Sequence, residues 1–131
     1  PTMKAFSGNM VRQRSTWDCA VACIASAANI SYEKAIEALK GQFHDGYIPH
    51  EVFVAMKELF NTVSMYSYNQ YNGPLAASII HVGDNTNRLP FHYVWVDPDG
   101  FLNCPASAFT SWGDIHVIGH IIKYDPNSIK G

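Results

Sequence analysis

Residues 18 to 29, Asp-Cys-Ala-Val-Ala-Cys-Ile-Ala-Ser-Ala-Ala-Asn, are apolar on almost every side and rich in alanine. A helix with that surface must be enclosed by other elements, so the pattern predicts a buried helix that begins at Thr16 and Asp18 and closes at Asn29. A second helix is predicted at about 32 to 40, capped by Ser31, with Glu33 in its first turn, Ile36 and Leu39 inward and Gly41 as its stop. It reads as short and half exposed. Gln42 to Ile48 has loop composition, and Pro49 then opens a third helix whose apolar stripe is Val52, Phe53, Met56, Leu59 and Phe60. From Thr62 the period falls from that of a helix to two. Val63, Met65, Tyr66 and Tyr68 read as a strand ended by the turn signal Tyr71-Asn72-Gly73-Pro74. Ser78 to Val82 is a short apolar run, Gly83 to Leu89 a polar loop, and Phe91 to Val96 a β-branched and aromatic strand. Asp97-Pro98-Asp99-Gly100 turns the chain into Phe101 to Cys104, and a last strand is expected at Ile115 to Tyr124 before a Pro/Asn/Ser tail.

Three helices followed by antiparallel strands is an α+β order: an N-terminal helical lobe packed on a small antiparallel sheet. Length supports one domain over the whole chain, residues 1 to 131, with 1 to 10 an extension and 125 to 131 a tail. At 131 residues and 47% hydrophobic content, roughly two-thirds of the unfolded surface can be buried, so no disulfide or metal staple is required. Nine basic against eleven acidic side chains give a formal charge of -2, with no basic cluster beyond Arg12 and Arg14, which argues against a nucleic-acid partner. No signal peptide or membrane span is visible, so a cytoplasmic protein is expected. Cys19, Cys23 and Cys104 are an odd number and read as reduced thiols.

A thiolate attacks where a thiol does not, and a helix N-terminus with an imidazole partner favours the thiolate. Cys19 is placed in the first turn of the buried helix, directly after Ser15-Thr16-Trp17-Asp18, whereas Cys23 falls one turn further in, toward the core. The plainer alternative for Cys19 is a small buried hydrophobe.

Gln13-Arg14-Ser15-Thr16-Trp17-Asp18-Cys19-Ala20-Val21-Ala22-Cys23 resembles the Gln-x5-Cys opening of the papain-like peptidases that remove double-glycine leaders from bacteriocins. Ile79-Ile80-His81-Val82, a loop, and His92-Tyr93-Val94-Trp95-Val96 resemble that family's strand before its catalytic His and the His strand itself. Phe109-Thr110-Ser111-Trp112-Gly113 resembles its Phe-x-x-x-Trp closing segment. The likeness runs from residue 11 to 124 in the same order. It implies a papain-like fold in which Cys19 is the nucleophile, His92 the general base and acid, and Gln13 the oxyanion donor. The implied activity is that of a cysteine peptidase, a thiol hydrolase acting on a protein or peptide, with no cofactor. Members of that family are usually fused to a membrane exporter. With no span visible, a stand-alone enzyme is expected and export processing does not carry over.

The group that orients the imidazole departs from the pattern. The family places an Asp before a Pro there, and this chain reads Asn103-Cys104-Pro105. If the hairpin turns on Pro98-Asp99 alone, Asn103 shares the face of His92; if Gly100 forms a bulge, the register slips by one and Cys104 takes that face. Asn103 is the expected orienter, since papain-like enzymes accept Asn in that role; a Cys there would leave a dyad. Ala20 also replaces the Gly that usually follows the family's Cys, and a Cβ there could crowd substrate. Acyl transfer or glutamine deamidation on the same Cys-His pair is a second reading, and a binding module that kept the fold without the reaction is a third. His116 and His120, four apart on a strand, share one face, but no third ligand stands near them and no metal is expected. His44, His50 and His81 are read as surface, helix-start and strand residues.

Overall fold

The computed structural model describes residues 10–40, 46–83, 92–106 and 112–131. Three helices, α1 (Cys19–Ala28), α2 (Tyr32–Ala38) and α3 (Pro49–Leu59), precede five strands: β1 (Val63–Ser67), β2 (Ser78–Gly83), β3 (His92–Val96), β4 (Leu102–Asn103) and β5 (Val117–Tyr124). All strand pairings are antiparallel, and the spatial order is β1-β5-β2-β3-β4. The expected α+β order holds, with one feature that periodicity could not supply. The last strand does not extend the sheet at an edge. It lies between β1 and β2, where Ile121 and Ile122 are fully buried on opposite faces.

The alanines of α1 let it sit close to the sheet, and every residue of it except Ser26 and Ala27 is buried. Asn29 closes it in the left-handed region at φ 55°, the conformation Asn tolerates best after Gly, and the Ile30 amide returns to the Ala25 carbonyl. Ser31 caps α2 by accepting from the Lys34 amide, and the Glu51 carboxylate accepts from the Ile48 amide at the start of α3. On α3, Val52, Ala55 and Met56 are buried, while Phe53 and Leu59 pack from the margin. In α2 the inward residues are Tyr32, Ala35 and Ala38, followed by Leu39, with Ile36 only partly buried.

The sheet divides the interior in two. Its helix side carries Ala77, Ile79, Tyr93, Trp95, Ile122 and Tyr124. The other side gathers Ile80, Val82, Val94, Val96, Leu102, Cys104 and Ile121, partly covered by Tyr71, Trp112, Ile115 and Ile118. Among the described residues no helix is long and apolar enough to cross a membrane. The loops expected before Pro49 and before His92 fall largely outside the described residues, as does most of the Phe109 to Gly113 segment.

Candidate active site

Asp18 occupies the N-cap position of α1, yet its carboxylate does not cap the helix. It turns back and accepts from the amides of Arg14 (2.7 Å) and Ser15 (3.0 Å), the Ser15 hydroxyl (3.3 Å) and the Tyr32 hydroxyl (2.6 Å). Burial pushes the carboxyl up. The hydrogen bonds from Tyr32, Arg14 and Ser15 outweigh that and hold it below its ordinary value. A fully buried anion thereby ties the 13–18 loop to α2, and the Arg14 guanidinium lies 3.8 Å from the centre of the Tyr32 ring.

That loop delivers two candidate residues. Gln13 is held by its backbone amide against the Pro105 carbonyl at 3.4 Å, while the Arg12 guanidinium donates to the Cys104 carbonyl at 2.8 Å. Its side-chain Nε2 donates to the Ser15 carbonyl, and its Oε1 is buried with no hydrogen-bond partner. Cys19 follows at the first position of α1 and is only 5% exposed. The backbone amide of Tyr93 donates toward its sulfur, so the helix start meets β3 at the peptide that joins His92 to Tyr93.

His92 begins β3 opposite Val82 and is 2% exposed. Because Tyr93 and Trp95 face the helices, the His92 side chain leaves the strand on the other face. There its Nε2 lies 3.1 Å from the sulfur of Cys104. Asn103 is not at that position. Gly100 takes φ 87° after a turn in which its amide bonds the Asp97 carbonyl, and the Asp97 amide bonds Phe101. This bulge sets Trp95 opposite Asn103 and Val96 opposite Leu102, so Asn103 shares the face of Trp95, opposite to that of His92. The Asn103 Nδ2 contacts the carbonyls of Trp95 and Phe101 and the Asp97 carboxylate. Asn103 thus braces the hairpin, and the expected place behind the imidazole belongs to Cys104.

Burial governs the charges. It raises the Cys19 thiol to about 11, with the Asp18 charge adding to the effect and the Tyr93 and Ala20 amides opposing it. It lowers His92 to about 4, helped by nearby His81. Burial therefore favours a neutral thiol at Cys19 and a neutral imidazole at His92. His81 stacks on Tyr93 with ring centres 5.0 Å apart and stands 6.4 Å from His120, whose Nδ1 is buried with no hydrogen-bond partner. His116 precedes β5 and is exposed. Among the described residues no group of three or more His, Cys, Asp or Glu is disposed to hold a metal ion.

Two roles in this arrangement were not read from the sequence, that of the Tyr93 amide and the anchoring by Asp18, which was read only as a mark of the helix start. The Tyr93 amide carries no side-chain signal at all, whereas the anchoring role of Asp18 had one, an Asp directly before the Cys.

This constellation stands on a fold seen in peptidase domains. Among solved structures, the chain resembles the peptidase domain of Streptococcus ComA, a bi-functional ABC transporter involved in a quorum sensing pathway. The likeness has a TM-score of 0.58 at 18% identity and covers 90% of this chain and 99% of that one. No family model matches the sequence. No curated protein matches it either.

Proposed function

We propose that this protein is a thiol hydrolase of papain-like type that cleaves a peptide or isopeptide bond through an acyl-enzyme on Cys19. One observation supports this reading above the rest. The Tyr93 amide, one residue after His92, acts on the Cys19 sulfur at the start of α1, while Cys104 lies 3.1 Å from His92 Nε2 and Gln13 is tied to the next residue, Pro105. In the reaction, His92 Nδ1 takes the Cys19 proton as the sulfur adds to the substrate carbonyl, and the proton then passes to the leaving amine. The acylated sulfur is released by water, with His92 again as base. Since burial keeps both partners neutral at rest, proton transfer accompanies attack and no preformed ion pair is needed. A side-chain rotation that frees Gln13 Nε2 from Ser15 would let it stabilise the oxyanion, a contact of a kind whose loss costs on the order of 10²–10³ in rate.

The same burial favours a second reading, a binding module built on the peptidase fold. Digestion of a mixed peptide library, read by mass spectrometry for wild type and Cys19→Ala, separates the two. Cleavage by wild type that Cys19→Ala lacks is expected. Equal behaviour of the two proteins refutes the hydrolase. A gain of about one mass unit at glutamine without a cut, dependent on Cys19, assigns deamidation in its place.

A further inference from the structure

Strand β1 closes one end of the sheet, with β5 on its inner side and, among the described residues, no strand on its outer side. Natural edge strands discourage further pairing by being very short or by carrying a charge, a proline or a bulge. β1 carries none of these. Val-Ser-Met-Tyr-Ser pairs with β5 in unbroken register from Val63↔Tyr124 to Ser67↔His120. Neutrality extends well beyond the strand, since residues 59 to 82 hold no Asp, Glu, Lys or Arg. The direction of its backbone groups follows from two neighbouring bonds. The Thr62 carbonyl accepts from the Asp125 amide, while the Tyr124 amide turns the other way, to the carbonyl of Ala77 just before β2. Residues of an antiparallel pair alternate between facing the partner and facing away, so Ser64 and Tyr66 bond β5. Val63, Met65 and Ser67 then present their N–H and C=O groups outward.

From this edge we propose that β1 is a self-association surface: two copies of the chain pair antiparallel through β1 about a twofold axis at Met65, joining their sheets into one. Three features single out a second copy as the occupant. Rotation about Met65 sets Val63 against Ser67 of the second copy and Met65 against its own counterpart, so the outward residues of one strand meet those of the other, each N–H facing a C=O. Between them Ser64 stands across from Tyr66 of the second copy, a small side chain beside a large one. Both lie on the face away from the helices, where Tyr66 is 39% exposed with its ring centre 4.9 Å from that of Tyr71. Finally, a charged peptide finds no counter-charge along this edge, whereas an identical neutral strand meets no repulsion. Val63 and Met65 keep their side chains on the helix-side core, which fixes the face and with it the register. The proposal is independent of the chemistry at Cys19.

Sedimentation equilibrium tests the pairing. The mass should rise from one chain toward two between about 10 µM and about 1 mM, since a five-residue strand forms a small, weak interface. Over that range amide hydrogen exchange, read by NMR, should slow at Val63, Met65 and Ser67 by at least about threefold and stay unchanged at Ser64 and Tyr66, which β5 already protects. Ser67→Pro removes one outward N–H at a position whose φ of -75° suits proline. That variant should fold as wild type does, by circular dichroism, and keep a one-chain mass at about 1 mM. A one-chain mass for wild type at about 1 mM overturns the proposal. So does a dimer whose three outward amides exchange as fast at high concentration as at low, which places the contact on another face. A folded Ser67→Pro protein that pairs as tightly as wild type overturns it as well. Should Ser67→Pro fail to fold, the wild-type exchange pattern decides alone.

Discussion

Replacing Asp18 with Asn changes almost no volume and removes one buried negative charge. The carboxylate accepts four hydrogen bonds, at 2.7, 3.0, 3.3 and 2.6 Å. Hydrogen bonds to a charged group contribute about 1.5–3 kcal/mol each and neutral ones about 1. Asn keeps one acceptor oxygen for Ser15 but sets an N–H group against the Arg14 amide, which then has no acceptor there. Weakening of the shared bonds together with one misdirected donor gives an expected loss of about 2–4 kcal/mol, since the contributions are not additive. Unfolding entropy of about 2.1 cal/mol/K per residue over 131 residues converts that to a fall in Tm of about 7–14 °C. The effect has a pH signature. The folded carboxyl lies below its ordinary 3.8, so its stabilisation is fully present above that value and is lost as pH falls through the folded pKa. Urea unfolding of wild type and Asp18→Asn, followed by tryptophan fluorescence at pH 7 and again near pH 2.5, should show the gap narrowing in acid. A gap of the same size at both pH values, or none at pH 7, refutes the assignment of Asp18 as the buried anionic anchor of the 13–18 loop. Removal of the charge should also lower the Cys19 thiol, because Asp18 is one of the groups holding it up.

Two further outcomes follow from the same structure. His92 falls from 6.5 to about 4 in the folded protein, so the unfolded chain binds the extra proton first and stability declines as pH drops from 6.5 toward 4. The decline attributable to this group is as much as about 3 kcal/mol; denaturation midpoints of His92→Gln should be flatter across that window than those of wild type, and parallel curves would count against a buried neutral imidazole. Gly100→Ala places a Cβ at φ 87° and should cost about 1–2 kcal/mol in thermal unfolding; no loss would show that the bulge, and with it the placing of Cys104, is not held by this residue.

The limits of sequence reading are clearest in the β3-β4 hairpin. Pro98-Asp99-Gly100 was compatible with two registers that differ by one residue, and one residue in a strand reverses which side chain faces the core. Asn103 and Cys104 are neighbours in the chain and opposites in the sheet, so choosing between them required the backbone angle at Gly100 and the pairing of Trp95 with Asn103. The position of β5 was hidden for a related reason. Its apolar run marks it as buried, but a strand's neighbours are chosen by long-range packing that leaves no trace in its own periodicity.

Local chemistry was legible where a residue acts through the backbone next to it. The alanine surface of α1, Asn29 in the left-handed region, Ser31 over the Lys34 amide and the apolar side of α3 all arise from interactions within a few positions, which residue type alone can specify. Cys19 could be named from its place at a helix start, whereas Gln13 and His92 were named only through the resemblance of their segments to a known family. Their electrostatics could not, because the desolvation that raises Cys19 to about 11 and lowers His92 to about 4 is created by side chains far away in the chain closing over them. The amino-acid order thus determined which groups are available, and tertiary packing decided which of them touch and what charge each carries, since contact and dielectric are properties of the assembled interior.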